Sequence, residues 1–265
     1  MTANILSIAG SDPSGGAGIQ ADLKAFAARG TFGMAVLTAL TAQNTQGVSG
    51  VHLIPAAFVA DQIREVFSDV RVDAVKIGMI ASAEIAEAVA DVLSEHPDVP
   101  LVLDPVMVAK GGHSLLATDA VDALKRRLLP LATLITPNLP EAAALLGTAE
   151  AKDRPTMTRQ AEQLLSLGAK AALIKGGHLE TAESPDVLTG QHGSVWFEAA
   201  RIATPNTHGT GCTLSSAVAA ELGKGADLAD AVRTAKAYLA GAIARSNALT
   251  VGSGHGPVHH FHEWW

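Results

Sequence analysis

Short apolar runs alternate with amphipathic helical runs along nearly the whole chain, and no other property restricts the fold as tightly. The pattern predicts strands at 5–9, 33–41, 51–54, 74–77, 101–104, 134–136 and 171–174. It predicts helices at 17–28, 56–68, 82–95, 118–129, 140–146, 157–167, 213–222 and 228–245. Residues 187–189 and 194–202 read as a hairpin around 190–193. Ser82 stands where the 82–95 helix needs an N-cap. Strand–helix–strand units join parallel strands, so the sheet must be mostly parallel with helices on both faces. Composition agrees: 48% of residues are hydrophobic and only 17% charged, as strands buried on both sides require. At 265 residues this doubly wound α/β design fits one domain, 1–265, since no internal repeat occurs and the most polar connection, 147–155, is too short to mark a boundary.

Several partner classes are excluded as expectations. The net charge is −7 and the longest basic run is Lys125-Arg126-Arg127, which argues against nucleic acid. A single cysteine forbids an internal disulfide and suits a reducing compartment. No apolar run approaches the roughly 18–20 residues of a membrane span, and the N-terminus lacks the charged region of a signal peptide. A soluble, cytoplasmic protein without membrane association is expected.

In open parallel sheets, ligands bind beyond the carboxyl ends of the strands, and the polar signals fall there. Residues 10–18, Gly-Ser-Asp-Pro-Ser-Gly-Gly-Ala-Gly, have P-loop glycine spacing but carry Gly16 and Ala17 where Lys and Ser/Thr belong. The loop suits close approach to a ligand other than a Walker-A phosphate. Asp22 follows one helical turn on, either as a ligand contact or as a solvated helix charge. Gln43, at the end of the second strand, offers an amide that can read a heterocycle edge or simply serve a turn. Asp104 tips an apolar strand; Asn138 and Glu141 repeat the pattern, with helix capping as the plainer reading. Lys175 ends another strand beside Gly176-Gly177-His178. The sequence Asn-Thr-His-Gly-Thr-Gly-Cys at 206–212 leads into a helix, whose N-terminal amides and dipole favour an anion. Cys212 lies in that first turn, where a thiol pKa can be lowered for work as base or nucleophile, or where the thiol is inert and buried. Fixed amides, a lysine, carboxylates and a proton acceptor are the parts that phosphoryl transfer needs.

These stretches together resemble the hydroxymethylpyrimidine/phosphomethylpyrimidine kinases of thiamine synthesis, a branch of the ribokinase-like superfamily. The resemblance rests on AGSDPSGGAGIQADLK (9–24), TALTAQNTQGV (38–48), KIGM (76–79), DPVM (104–107), LITPNLPEAAA (134–144), KGGH (175–178), NTHGTGCTL (206–214) and GHGPVHHFHEWW (254–265). It spans nearly the whole chain, in order, and implies a ribokinase-like doubly wound fold. It also implies that Gly209, Thr210, Gly211 and Cys212 form the catalytic anion hole, with Cys212 replacing the aspartate base of most of the superfamily. Gln43, Asp22, Gly10 and Val106 would hold the pyrimidine. Lys175, Asn138, Thr207 and His208 would contact ATP, and Asp104 and Glu141 would organise Mg²⁺.

The implied reaction is ATP-dependent phosphorylation of 4-amino-5-hydroxymethyl-2-methylpyrimidine, then of its monophosphate. Kinases of this family are often dimers, so a homodimer is expected although no interface is legible. The alternatives are a pyridoxal or pyridoxine kinase of the same fold, a non-catalytic pyrimidine-binding module, and a cysteine hydrolase. The C-terminal His255, His259, His260 and His262 match no common zinc spacing, and capping or packing with Trp264 and Trp265 is the expectation.

Overall fold

The computed structural model describes residues 1–107 and 118–265. The chain runs β1 (Asn4–Ala9), α1 (Gly18–Ala28), β2 (Phe32–Leu37), β3 (Ala39–Asn44), β4 (Gly47–Leu53), α2 (Ala56–Asp69), β5 (Ala74–Ile77) and α3 (Ala83–Leu93). It continues through β6 (Leu101–Leu103), α4 (Thr118–Ala123), β7 (Leu134–Ile135), α5 (Leu139–Leu146), α6 (Arg154–Ser166) and β8 (Ala172–Lys175). It closes with β9 (Asp186–Gly190), β10 (Gly193–Phe197), α7 (Thr210–Gly223) and α8 (Leu228–Ala244).

Side chains of successive strand residues point to opposite faces, and here the two faces feed two cores. Leu6, Ile8, Val75, Ile77, Leu101 and Leu103 join the core under α2 to α6. Ile5, Ala74, Val102, Leu134 and Leu173 join the core under α1, α7 and α8. The main sheet has the order β10-β9-β8-β7-β6-β5-β1-β2. Strands β2, β1, β5, β6, β7 and β8 pair in parallel, and β9 and β10 extend the edge antiparallel. The chain steps from β1 outward to β2 and later returns on the other side of β1 with β5. That reversal opens a crevice at the carboxyl ends of β1 and β5.

The expected strand at 33–41 is in fact two. It ends in the main sheet at Leu37, and Ala39–Asn44 pairs with β4 in a separate two-stranded antiparallel sheet, with a register shift at Ala42/Gln43. Helix α7 starts at Thr210, three residues earlier than expected, and β10 stops at Phe197. Ser82 caps α3 through the Ile85 amide, as expected.

Beyond α8 the chain folds back over the carboxyl ends. His255 N–H donates to Thr45 O at 2.9 Å, Pro257 bridges to His208, and His260 Nε2 meets Thr213 Oγ1 at 3.0 Å. His262 packs on Tyr238 and His259 on Trp265, so these histidines act in packing. No helix among the described residues is long and apolar enough to cross a membrane.

Candidate active site

A cleft of about 610 Å³ opens at the β1/β5 crevice. Its floor is the first turn of α7. Gly209 caps that helix in the left-handed region, at φ +76°. A Cβ at this position would lie 1.8 Å from Gly16 O, so only glycine lets the two loops touch. The first-turn amides of Thr210, Gly211 and Cys212 have no intrahelical partner to reach and carry the positive end of the dipole. Thr213 closes the turn, with its N–H and hydroxyl both donating to Gly209 O.

A chain of charges stands beside this cradle. Lys175, at the end of β8, donates to Asp104 Oδ1 at 2.9 Å and lies 4.0 Å from Glu141 Oε2. Thr136 Oγ1 and Ser215 Oγ also donate to Asp104. A Cβ on Gly211 would come within 3.3 Å of Lys175 Nζ, so the pair abuts the anion cradle. Burial alone would raise the Asp104 carboxyl, but Lys175 and Lys76 outweigh it and hold it below its ordinary value. Glu141 goes the other way: burial, with Asp104 adding, pushes it up to about 7 against Lys175. Asn138 and Glu141 form a reciprocal capping box on α5, with Asn138 Oδ1 accepting from Glu141 N–H and Glu141 Oε2 from Asn138 N–H. The plain capping reading is therefore correct, and both residues still line the cleft.

The opposite wall is the Gly-rich loop. Asp12 organises it, accepting from Ser14 N–H and hydroxyl on Oδ1 and from Ala17 N–H on Oδ2. The same Oδ2 meets His208 Nε2 at 2.7 Å. His208, expected at the nucleotide, thus ties the Gly-rich loop to the first turn of α7 through its ring. Burial tends to raise the Asp12 carboxyl, yet His208 and Ser14 carry it down to about 2. Gln43 enters from β3, its Oε1 accepting from Thr41 Oγ1 at 3.3 Å, with Gly10, Met79 and Val106 nearby on the lining.

Gly10, Gln43, Asp104, Val106, Asn138, Glu141, Lys175 and residues 207–212 all line this cleft. Asp22 does not. It is fully buried, and its oxygens accept from Ser7, Ser216 and Lys76 at 2.6–2.9 Å, so no edge is left for a ligand. Of the two readings of Cys212, a lowered thiol pKa and a buried thiol, burial prevails: it pushes the thiol up to about 11, with Lys76 opposing and Asp22 and Asp104 adding. Asp12 and Lys76 also line the cleft; sequence reasoning passes over both, because neither has a spacing that announces its partner.

The phosphomethylpyrimidine kinase family profile matches residues 12–259. The hydroxymethylpyrimidine/phosphomethylpyrimidine kinase of Salmonella typhimurium is 55% identical over 262 residues, covering 99% of this chain and 98% of its own. Among solved structures, the phosphomethylpyrimidine kinase of Clostridium difficile 630 superposes with a TM-score of 0.80 at 43% identity, covering 90% of this chain and 98% of its own. The ADP complex of Bacillus subtilis pyridoxal kinase gives 0.89 at 38% identity over 98% of each chain. With these neighbours the chain shares a ribokinase-like fold.

Proposed function

The chain belongs to the phosphomethylpyrimidine kinase family, and we propose that it transfers the γ-phosphoryl group of ATP to 4-amino-5-hydroxymethyl-2-methylpyrimidine and then to the monophosphate. One observation carries the reading: a side-chain amide, Gln43, and a helix N-terminus with a thiol in its first turn, Cys212, line one cleft. The acceptor hydroxyl gives its proton to the thiolate form of Cys212, which becomes the thiol, as the hydroxyl oxygen bonds to the γ-phosphorus. The bond from that phosphorus to the bridging oxygen breaks, and ADP leaves. Amides 210–212 and Lys175 face the charge that builds on the phosphoryl oxygens.

The donor set also fits Mg²⁺. The ion takes hard oxygen ligands and is usually held by one or two carboxylates together with substrate phosphates. Asp104 and Glu141 supply two carboxylates beside the phosphate cradle, and the described residues contain no group of three or more His, Cys, Asp or Glu suited to a metal cage. When bound, the ion would neutralise phosphate charge.

The test is a mass-spectrometric assay with ATP, Mg²⁺ and the pyrimidine alcohol, in which monophosphate and then diphosphate should accumulate. The likeness to pyridoxal kinases supports a second reading. Pyridoxal assayed alone should give a lower kcat/KM than the pyrimidine, and the reverse order would make pyridoxal the substrate. We further propose a homodimer through the β3–β4 sheet, whose Leu40, Val51 and Leu53 are exposed apolar side chains. Light scattering should return twice the chain mass of 27.1 kDa.

A further inference from the structure

Among the described residues, Lys76 is the largest charged side chain that is wholly buried, and the reaction just described gives it no part. It sits on β5 with its ammonium 2.9 Å from each oxygen of Asp22. A buried ion pair is weak evidence of stabilisation, because desolvation offsets the attraction. Its placement points elsewhere. Ser216 donates to Asp22 Oδ1 at 2.7 Å. Residues four apart on a helix share a face, so Cys212 lies one turn above Ser216, on the side of α7 that rests on the pair. Lys76 and Cys212 both line the cleft. The pair therefore sits behind the thiol, with its lysine end reaching the cleft and its carboxylate enclosed by Ser7 and Ser216.

We propose that Lys76 is a positioning residue: its fixed positive charge, anchored by Asp22, stabilises the thiolate of Cys212 from behind. The idea rests on the reading of Cys212 as proton acceptor. Four charged groups act on the sulfur. Lys76 from β5 and Lys175 from β8 favour the thiolate, and Asp22 from α1 and Asp104 beyond β6 oppose it. Gly18 N–H, at the start of α1, adds a hydrogen bond that also favours the thiolate. Lys76 is the foremost counterweight to burial. Asp22 accepts two of the three ammonium protons and so keeps that charge in place in a site where a lone lysine would become neutral.

The chain has one cysteine, so iodoacetamide alkylation of the intact, ligand-free protein reports this thiol alone. Rates measured from pH 6 to 10.5 give its ionisation profile. Lys76→Met should slow alkylation at pH 8.5 by about tenfold or more, equivalent to at least one pKa unit. That variant leaves Asp22 buried and unpaired, and it may be replaced by the charge-free double variant Lys76→Met/Asp22→Asn if it does not fold. The double variant should shift the profile the same way but less, because one opposing anion is removed as well. A profile unchanged or shifted to lower pH, in whichever variant is folded by circular dichroism, overturns the proposal. If alkylation slows but phosphorylation does not, Lys76 still governs the thiol and the base assignment of Cys212 is what fails.

Discussion

At the scale of single residues, the raised thiol sets how the site depends on pH. A group held at about 11 is ionised in roughly one molecule per thousand at pH 8. If Cys212 takes the proton, kcat/KM for the pyrimidine should climb nearly tenfold per pH unit between 7 and 9, and a flat stopped-flow profile there would reject it. Cys212→Ser, a much weaker base, should cost on the order of 10²–10⁴-fold in rate while ATP binding by calorimetry stays close to wild type. Gln43→Leu leaves a polar substrate edge unpaired, at about 1–3 kcal/mol per buried group. That predicts a loss of roughly ten- to several-hundred-fold in kcat/KM for the pyrimidine, and a smaller loss with pyridoxal, which lacks the amino edge. Equal losses would mean that Gln43 only shapes the wall. Most residues on the cleft were legible because strand ends and glycine turns show in a one-dimensional pattern. Asp22 was misread for a physical reason: helix position tells which face a carboxylate lies on, but not whether a lysine from a strand 54 residues away reaches it first.

At the scale of elements, the cradle depends on one backbone conformation. Gly209→Ala would force a Cβ against Gly16 O in a left-handed turn. Strain of this kind costs on the order of 1–3 kcal/mol, and the displaced loop would carry Asp12 away from His208. The expected result is a lower melting temperature together with a loss of phosphoryl transfer. Normal turnover with a lowered melting point would show that the two loops need not touch for catalysis. The element pattern explains what the sequence could and could not disclose here. Helix α5 announced itself through Asn138 and Glu141, because capping is a local interaction. The break between β2 and β3 gave no such signal. Residues 33–41 read as one apolar run, and the change of partner at Thr38 is set by a distant segment: Ile54 N–H, just past β4, donates to Thr38 O.

At the scale of the whole molecule, the two-sided core was legible from strand composition, whereas the return of the C-terminal segment over the cleft was not, since it uses backbone bonds from an irregular stretch. His260 in that segment is buried, and desolvation, with Lys24 and the neighbouring histidines adding, lowers its pKa to about 3. The unfolded chain would protonate it near 6.5. Between those values the unfolded state binds the extra proton, so the stability His260 confers is present above about pH 6.5 and is lost as pH falls toward 3. His260→Gln should flatten that acid limb, and the gap between urea midpoints at pH 7.5 and pH 4.5 should shrink. An unchanged gap would assign the acid sensitivity to other groups.

The fold-back also makes the cleft depend on a segment that follows α8. Thr45, which borders the Gln43 wall, is bonded to His255, and His208 of the cradle is bridged to Pro257. Two walls of one cleft are thus joined by a segment that lies outside the main sheet. A chain truncated after Ala244 keeps its sheet and most of both cores, yet its cleft lacks the clasp. Such a truncated chain should fold without turning over ATP, which a melting curve and an ADP-release assay check together; turnover at the intact chain's rate would show the clasp to be dispensable.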